Sequence, residues 1–172
     1  MKRFDMTVDF NGIVIFDPAR LSDYYGGIKR GHNVWRDFTT TNMGDEVVQQ
    51  GIVVPLIGIN DGSYEVYVRS VSEPSCWGLD SIKDNKGFPL RVSVRLVIAD
   101  MAVLLDWYED EGWFDIDCEP GFYDVDIYGY RKVVSGAVQS CGYDFVLTNV
   151  ERLPTMTAEL EKDMQVLTLE ED

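Results

Sequence analysis

The sequence predicts a mainly β protein, an antiparallel β-sandwich built from two internally repeated halves with few short helices. Three observations carry that prediction. Apolar and polar residues alternate on both sides of two glycine-containing turns, matched blocks recur in the same order at fixed offsets, and helical periodicity is scarce. At 172 residues and 45% hydrophobic composition, the chain can bury the core of one domain spanning 1–172.

In chain order, Gly12 to Phe16 is an apolar run of the kind a deeply buried strand needs, and Val92 to Ile98 is a second. Ala19 to Tyr25 and Met101 to Glu109 each fit a short helical turn after their strand. Between Gly26 and Gln50 the chain is polar and reads as an inserted loop. Val53, Pro55, Ile57 and Ile59 alternate up to Asn60-Asp61-Gly62, and Tyr64, Val66 and Val68 alternate away from it, which predicts a β-hairpin. The same pattern recurs as Phe114, Ile116 and Cys118, then Glu119-Pro120-Gly121, then Tyr123, Val125 and Ile127. Cys141 to Thr148 supplies a further strand. Met156, Leu160, Met164 and Leu167 recur at helical spacing and predict a C-terminal amphipathic helix.

The repeat is read from aligned residues. Ile13-Val14-Ile15-Phe16-Asp17 matches Leu96-Val97-Ile98-Ala99-Asp100 at a shift of 83 residues, which also pairs Leu21 with Leu104 and Tyr24 with Trp107. Gly62-Ser63-Tyr64-Glu65-Val66-Tyr67-Val68 matches Gly121-Phe122-Tyr123-Asp124-Val125-Asp126-Ile127 at a shift of 59. The halves run from about 6 to 82 and from about 90 to 150, followed by an acidic C-terminal segment, 155–172.

A net charge of -15 opposes binding to phosphate backbones and anionic headgroups, so neither nucleic acid nor a membrane surface is an expected direct partner. No apolar run reaches the ~18–20 residues of a membrane span, and Met1 to Met6 lacks the apolar stretch of a signal peptide. Three cysteines without paired spacing, Cys76, Cys118 and Cys141, fit a reducing cytoplasm and no zinc site. The charge is concentrated. Between Asp106 and Asp126 stand nine carboxylates and no Lys or Arg, and Glu159 to Asp172 holds six acids and one base. These two segments carry -14 of the -15, so the remainder of the chain is nearly neutral.

Alternation predicts Asp115, Asp117 and Glu119 on the outer face of the second hairpin, joined across the turn by Asp124 and Asp126. The first-half counterparts of these five are Leu56, Gly58, Asn60, Glu65 and Tyr67, so the turn itself does not require acids. The candidate partner-binding residues are therefore Asp106, Glu109, Asp110, Glu111, Asp115, Asp117, Glu119, Asp124 and Asp126, with Trp107, Tyr108 and Trp113 as apolar anchors. Trp35, an aromatic of the polar insertion without a repeat counterpart, is a secondary binding candidate. The single histidine, His32, reads as an exposed loop residue. No nucleophile–base constellation, cofactor motif or metal-ligand spacing is present, so neither enzymatic activity nor a cofactor is expected.

The function class this supports is a cytoplasmic, non-enzymatic inhibitor that occludes a basic protein, as an immunity protein or antitoxin does to a cognate bacterial toxin, a nuclease with a basic cleft being one such target. The carboxylates would then stand in for substrate phosphates. Competing readings are a carbohydrate- or Ca²⁺-binding β-sandwich module using the aromatics or the acids, and a structural or assembly protein using the acidic hairpin as a subunit contact.

Overall fold

The computed structural model describes residues 1–169; Glu170, Glu171 and Asp172, three acids of the predicted acidic terminus, lie outside the described residues. Nine strands form two sheets: β1 (Lys2–Val8), β2 (Gly12–Phe16), β3 (Val53–Ile57), β4 (Gly62–Ser70), β5 (Lys83–Val92), β6 (Leu96–Asp100), β7 (Phe114–Ile116), β8 (Gly121–Val134) and β9 (Ala137–Val150). The five-stranded sheet has the order β1-β4-β9-β8-β5, and the four-stranded sheet the order β3-β2-β6-β7. Three short helices, α1 (Pro18–Tyr25), α2 (Val34–Thr40) and α3 (Met43–Gln49), and a 3₁₀ turn over Met101–Leu104 complete the elements.

The mainly β, two-sheet architecture agrees with the sequence reading, but its finer pattern differs. The larger sheet is mixed, not antiparallel, because β4 pairs with β9 in parallel. Gly142 permits that approach: a Cβ there would lie 1.7 Å from the Glu65 carbonyl oxygen. Neither predicted hairpin forms. β3 pairs with β2 while β4 pairs with β1 and β9, so Asn60-Asp61-Gly62 is a corner between sheets. Glu119-Pro120-Gly121 is the same kind of corner, between β7 and β8. Period-two alternation reports which face is buried, and it is blind to which neighbour supplies the hydrogen bonds.

Three further expectations are corrected. The run Val92 to Ile98 is broken by a turn at Ser93–Arg95, which leaves Val94 exposed and separates β5 from β6. The insertion 26–50 is not a loop throughout; Asn33 caps α2 by accepting from the Arg36 N–H at 2.8 Å, and Val34, Val47 and Val48 anchor the two helices in the core. The C-terminal helix is absent. Residues 151–169 form an irregular strap, turned at Leu160–Glu161 and held to the body at several points: Asn85 exchanges hydrogen bonds with Glu159, and the Tyr143 hydroxyl donates to the Met164 carbonyl at 2.7 Å. Met164 and Val166, two apart, are the residues it buries, a strand-like period that outweighs the helical one.

One hydrophobic cluster draws on both sheets. β2 is buried along its entire length and β3 and β6 along all but one residue, because the large sheet covers one face and the helices the other. The arrangement reads the same from either edge. In the large sheet β9 is flanked by β4 and β8, and these by β1 and β5; in the small sheet β2 and β6 are central and β3 and β7 outermost. Registers correspond too: Val8 faces Gly62 and Met6 faces Tyr64, as Val92 faces Gly121 and Leu90 faces Tyr123.

Two aspartates lock the central pair β2–β6. Asp17, fully buried, accepts from the Ala19 N–H to cap α1 at 3.0 Å, and reaches the β5–β6 turn through the N–H groups of Ser93 (2.7 Å) and Val94 (3.0 Å) and the Ser93 hydroxyl (3.0 Å). Asp100 caps the Ala102 N–H at 3.2 Å and reaches the β1–β2 turn through the Asp9 N–H at 2.9 Å. Burial alone would raise the Asp17 carboxyl, but the donors on Val94, Ser93 and Ala19 hold it below the usual carboxylate range. Its stabilisation is therefore complete above its unfolded value of about 3.9 and is lost as pH falls toward the lower folded value. Asp17→Asn is expected to cost about 1–3 kcal/mol at neutral pH, measured by denaturant unfolding, with the difference from wild type shrinking toward pH 3; an equal difference at both pH values would contradict the assignment.

Candidate functional site

The acidic segment leaves the core at the 3₁₀ turn and is anchored by Trp107. That indole is buried, 5.8 Å from the Phe16 ring and 5.1 Å from Trp113, ring centre to ring centre. Its backbone closes two hydrogen bonds with the insertion: Gly31 N–H to the Trp107 carbonyl at 2.7 Å and Trp107 N–H to the His32 carbonyl at 3.0 Å. Beyond it the chain turns through Asp110 and Gly112, both at positive φ, and returns to the small sheet as β7. The loop is thus aromatic inside and carboxylate outside.

Arg95 organises the acids. Its guanidinium lies over the Trp113 ring at 5.7 Å, binds Asp115 at 2.5 and 3.2 Å and binds Asp110 at 2.6 Å. This pairing holds the Asp115 carboxyl below the usual carboxylate range. Lys2 adds a bond to the Asp115 carbonyl at 2.8 Å. Sequence reasoning missed Arg95 because it sits inside the run Val92 to Ile98, read as one strand. The signal was there: it is the only cation between Val92 and Asp126.

The structure separates the predicted residues into three groups. Asp106, Glu109, Asp110, Glu111, Asp115, Asp117 and Glu119 are exposed, and among the described residues only Asp110 and Asp115 of these seven form ion pairs. Glu109 and Glu111 border a hollow of about 360 Å³ shared with Ile28, Arg30 and Tyr108, where the Arg30 guanidinium stacks over the Tyr108 ring at 5.1 Å. Asp124 and Asp126 do not join them, because β8 belongs to the other sheet. Asp124 is half-buried, one of its oxygens has no partner, and desolvation with the nearby Asp126 raises its carboxyl. Asp126 instead accepts from the Gly87 N–H at 3.0 Å, at the irregularity in β5.

The aromatic anchors are likewise redistributed. Trp107 is a core residue and Trp113 is half-buried, whereas Tyr108 lines the hollow and Phe114, expected to face inward, is 49% exposed. Trp35 stands on α2, not in a loop, with its ring 5.6 Å from Phe10. It lines an apolar hollow of about 280 Å³ with Phe38 and Met101. His32 is not a free loop residue: its Nε2 lies 2.6 Å from Asp37, which also accepts from the Tyr25 hydroxyl at 2.9 Å. Among the described residues, no group of three or more His, Cys, Asp or Glu is placed to hold a metal ion, and no helix is long and apolar enough to cross a membrane.

No protein-family model and no curated protein matches the sequence. Two solved structures resemble the fold. One is the protein of crocagin biosynthetic gene J, 13% identical, with 86% of this chain and 95% of that chain covered at a TM-score of 0.50. The other is ComJ from Bacillus subtilis, an inhibitor of the DNA-degrading activity of NucA, 11% identical, with 86% of this chain and 96% of that chain covered at a TM-score of 0.47. At these identities the likeness is one of fold.

Replacing Arg95 with Gln releases two carboxylates. The Asp115 carboxyl is expected to titrate closer to its ordinary value and the 106–113 backbone to gain mobility, both read by NMR. Because Arg95 is 34% exposed, the stability cost should stay below about 1 kcal/mol. An unchanged Asp115 titration would contradict the organising role.

Proposed function

We propose that this chain is a cytoplasmic, non-enzymatic binding protein that inhibits a basic protein partner by occlusion, in the manner of an immunity protein acting on a toxin. A nuclease is the most natural target, since its cleft is built to receive an array of negative charge. The observation that carries the reading is the exposed, largely unpaired set of carboxylates from Asp106 to Glu119, on a chain whose remaining excess charge lies mainly in the C-terminal segment. Unpaired like charges held on one short segment cost folding energy and raise the local negative potential, which draws in a cationic surface and orients it on approach.

The buried Trp107 and half-buried Trp113 change the division of labour. They stiffen the segment from beneath, which lowers the ordering cost of binding, and Tyr108 and the exposed Phe114 take the anchoring role at the surface. Arg95 contributes by fixing Asp110 and Asp115, leaving Glu109, Glu111, Asp117 and Glu119 for the partner.

Correspondences between the two halves, read as an internal repeat, are consistent with the same reading. Asp17 and Asp100 cap their turns and cross to the opposite half in matching fashion, and Tyr64 and Tyr123 donate to the carbonyls of Asn60 and Glu119, both at 2.5 Å. We read these correspondences as two copies of a four-stranded unit, with β9 inserted between them. On that reading one corner carries Leu56, Gly58 and Asn60 where the other carries Asp115, Asp117 and Glu119.

Reversal of Glu109, Glu111, Asp117 and Glu119 to Lys is expected to abolish capture of the basic partner from source-cell lysate or medium at ~0.05 M salt, with the thermal midpoint preserved. Reversal of Asp126, on the other sheet, should leave capture intact. Capture of no basic protein by the wild-type chain, or undiminished capture by the four-site variant, would refute the proposal.

A further inference from the structure

The two corners lie at opposite mouths of the space between the sheets, and only one mouth is filled by the chain itself. The first, beside the Asn60 corner, is closed by the strap. Gln165 accepts from the Asn60 N–H at 2.8 Å and donates to the Gly58 carbonyl at 2.7 Å, Met164 and Val166 are buried, and Arg131 holds the Val166 carbonyl at 2.7 Å. Leu167 packs against Gly62. The extended backbone with apolar side chains two apart suits a slot between two sheet ends.

The second mouth, beside the Glu119 corner, is its counterpart by strand order and register. Where the strap crosses the ends of β8 and β5 and one end of β9, this mouth is bounded by the ends of β4 and β1 and the other end of β9. It is an open cleft of about 650 Å³. Val68, Ile116, Tyr123 and Leu147 form an apolar floor. The counterparts of the backbone groups that Gln165 binds are the Glu119 N–H and the Asp117 carbonyl. The charged residues of the rim are unequal. Arg69 is paired with Asp144 and Glu73 with the N-terminal ammonium, whereas Lys2, bound to the Asp115 carbonyl, and the carboxylates of Asp117 and Glu119 have no ion pair among the described residues, so two uncompensated carboxylates stand against one uncompensated ammonium.

We infer that the second mouth is the seat of an extended segment of the basic partner, with apolar side chains two apart and Lys or Arg flanking them. The internal strap supplies the backbone shape of the occupant, and the unpaired Asp117 and Glu119 supply its charge. Because the strap itself is acidic, the charge on this rim disfavours a second copy's strap and favours a cationic chain. The inference rests on the reading of the Asp106–Glu119 segment as a partner surface, and it places on that surface a specific grip.

The test uses the full chain and a probe patterned on the strap, the blocked hexapeptide Lys-Met-Gln-Val-Leu-Lys. In an NMR titration it should shift amides at residues 116–119, 123 and 147–149, with an affinity of roughly 1 mM or tighter. Asn149→Trp, which fills the cleft from an exposed rim position without altering charge, should weaken it at least about tenfold. The same peptide flanked by Glu should not bind. Shifts confined to residues 58–62, no shifts, or binding indifferent to Asn149→Trp would overturn the inference, as would a concentration-dependent dimer abolished by Asn149→Trp, which would make the occupant a second copy. Partner capture separates the two levels. If Asn149→Trp leaves capture intact while the four-site charge reversal abolishes it, the acidic surface stands and the cleft assignment falls.

Discussion

Three strands of the small sheet, β2, β3 and β6, are buried on both faces, whereas β7 at its edge is exposed, and much of the charge distribution follows from that constraint. β2, β3 and β6 cannot carry an ionised side chain outward, because outward leads to α1–α3 on one side and to the large sheet on the other. The acids that touch this region act as acceptors: both oxygens of Asp17 and both of Asp100 accept from backbone N–H groups at the strand ends. The excess carboxylate lies outside these three strands, on the loop from Asp106 to Glu111, the edge strand β7, the Glu119 corner and the terminal segment.

The same constraint makes the acidic segment rigid. A loop carrying like charges would ordinarily splay, yet this one is fastened to Phe16 by two tryptophans, clipped to the insertion by the backbone of Trp107, and crossed by Arg95. The charges are thus presented on an ordered template, which lowers the conformational cost of meeting a complementary surface. The corner that ends the segment then opens into the cleft beside Tyr123, so the acidic segment and the cleft proposed to seat the partner adjoin. Across the molecule the strap lies beside the Asn60 corner, where the counterparts of Asp117 and Glu119 are the uncharged Gly58 and Asn60.

Much of this was legible in the residues. Inward positions such as Tyr64, Val66, Tyr123, Val125 and Ile127 follow from alternation, and the buried character of Gly12–Phe16 follows from its unbroken apolar run. Pairing was not legible, because β3 and β4 look identical in sequence whether they fold on each other or turn a corner into different sheets. β1 escaped notice because Lys2, Arg3 and Asp5 dilute the buried set Phe4, Met6 and Val8. The strap was misread as a helix because Met156, Leu160, Met164 and Leu167 fit a helical period, whereas Asn85, Tyr143 and Arg131, all distant in sequence, hold it to the body in non-helical form. At the site, the identity of the acids was read from composition, but their separation by sheet and the role of Arg95 depend on tertiary contacts. Trp107 was legible as a core residue through its sequence counterpart Tyr24, and its assignment as a surface anchor ran against that signal.

The central claim is that the carboxylates from Asp106 to Glu119 meet the partner directly. Zero-length carbodiimide cross-linking of the captured complex, read by mass spectrometry, tests it most directly, since it joins only carboxylates and lysines in contact. The account predicts partner lysines bonded to Glu109, Glu111, Asp117 and Glu119 and none bonded to Asp5 or Glu65 on the β1–β4 edge. Cross-links from Asp5 and Glu65 with the acidic segment unmodified would contradict it.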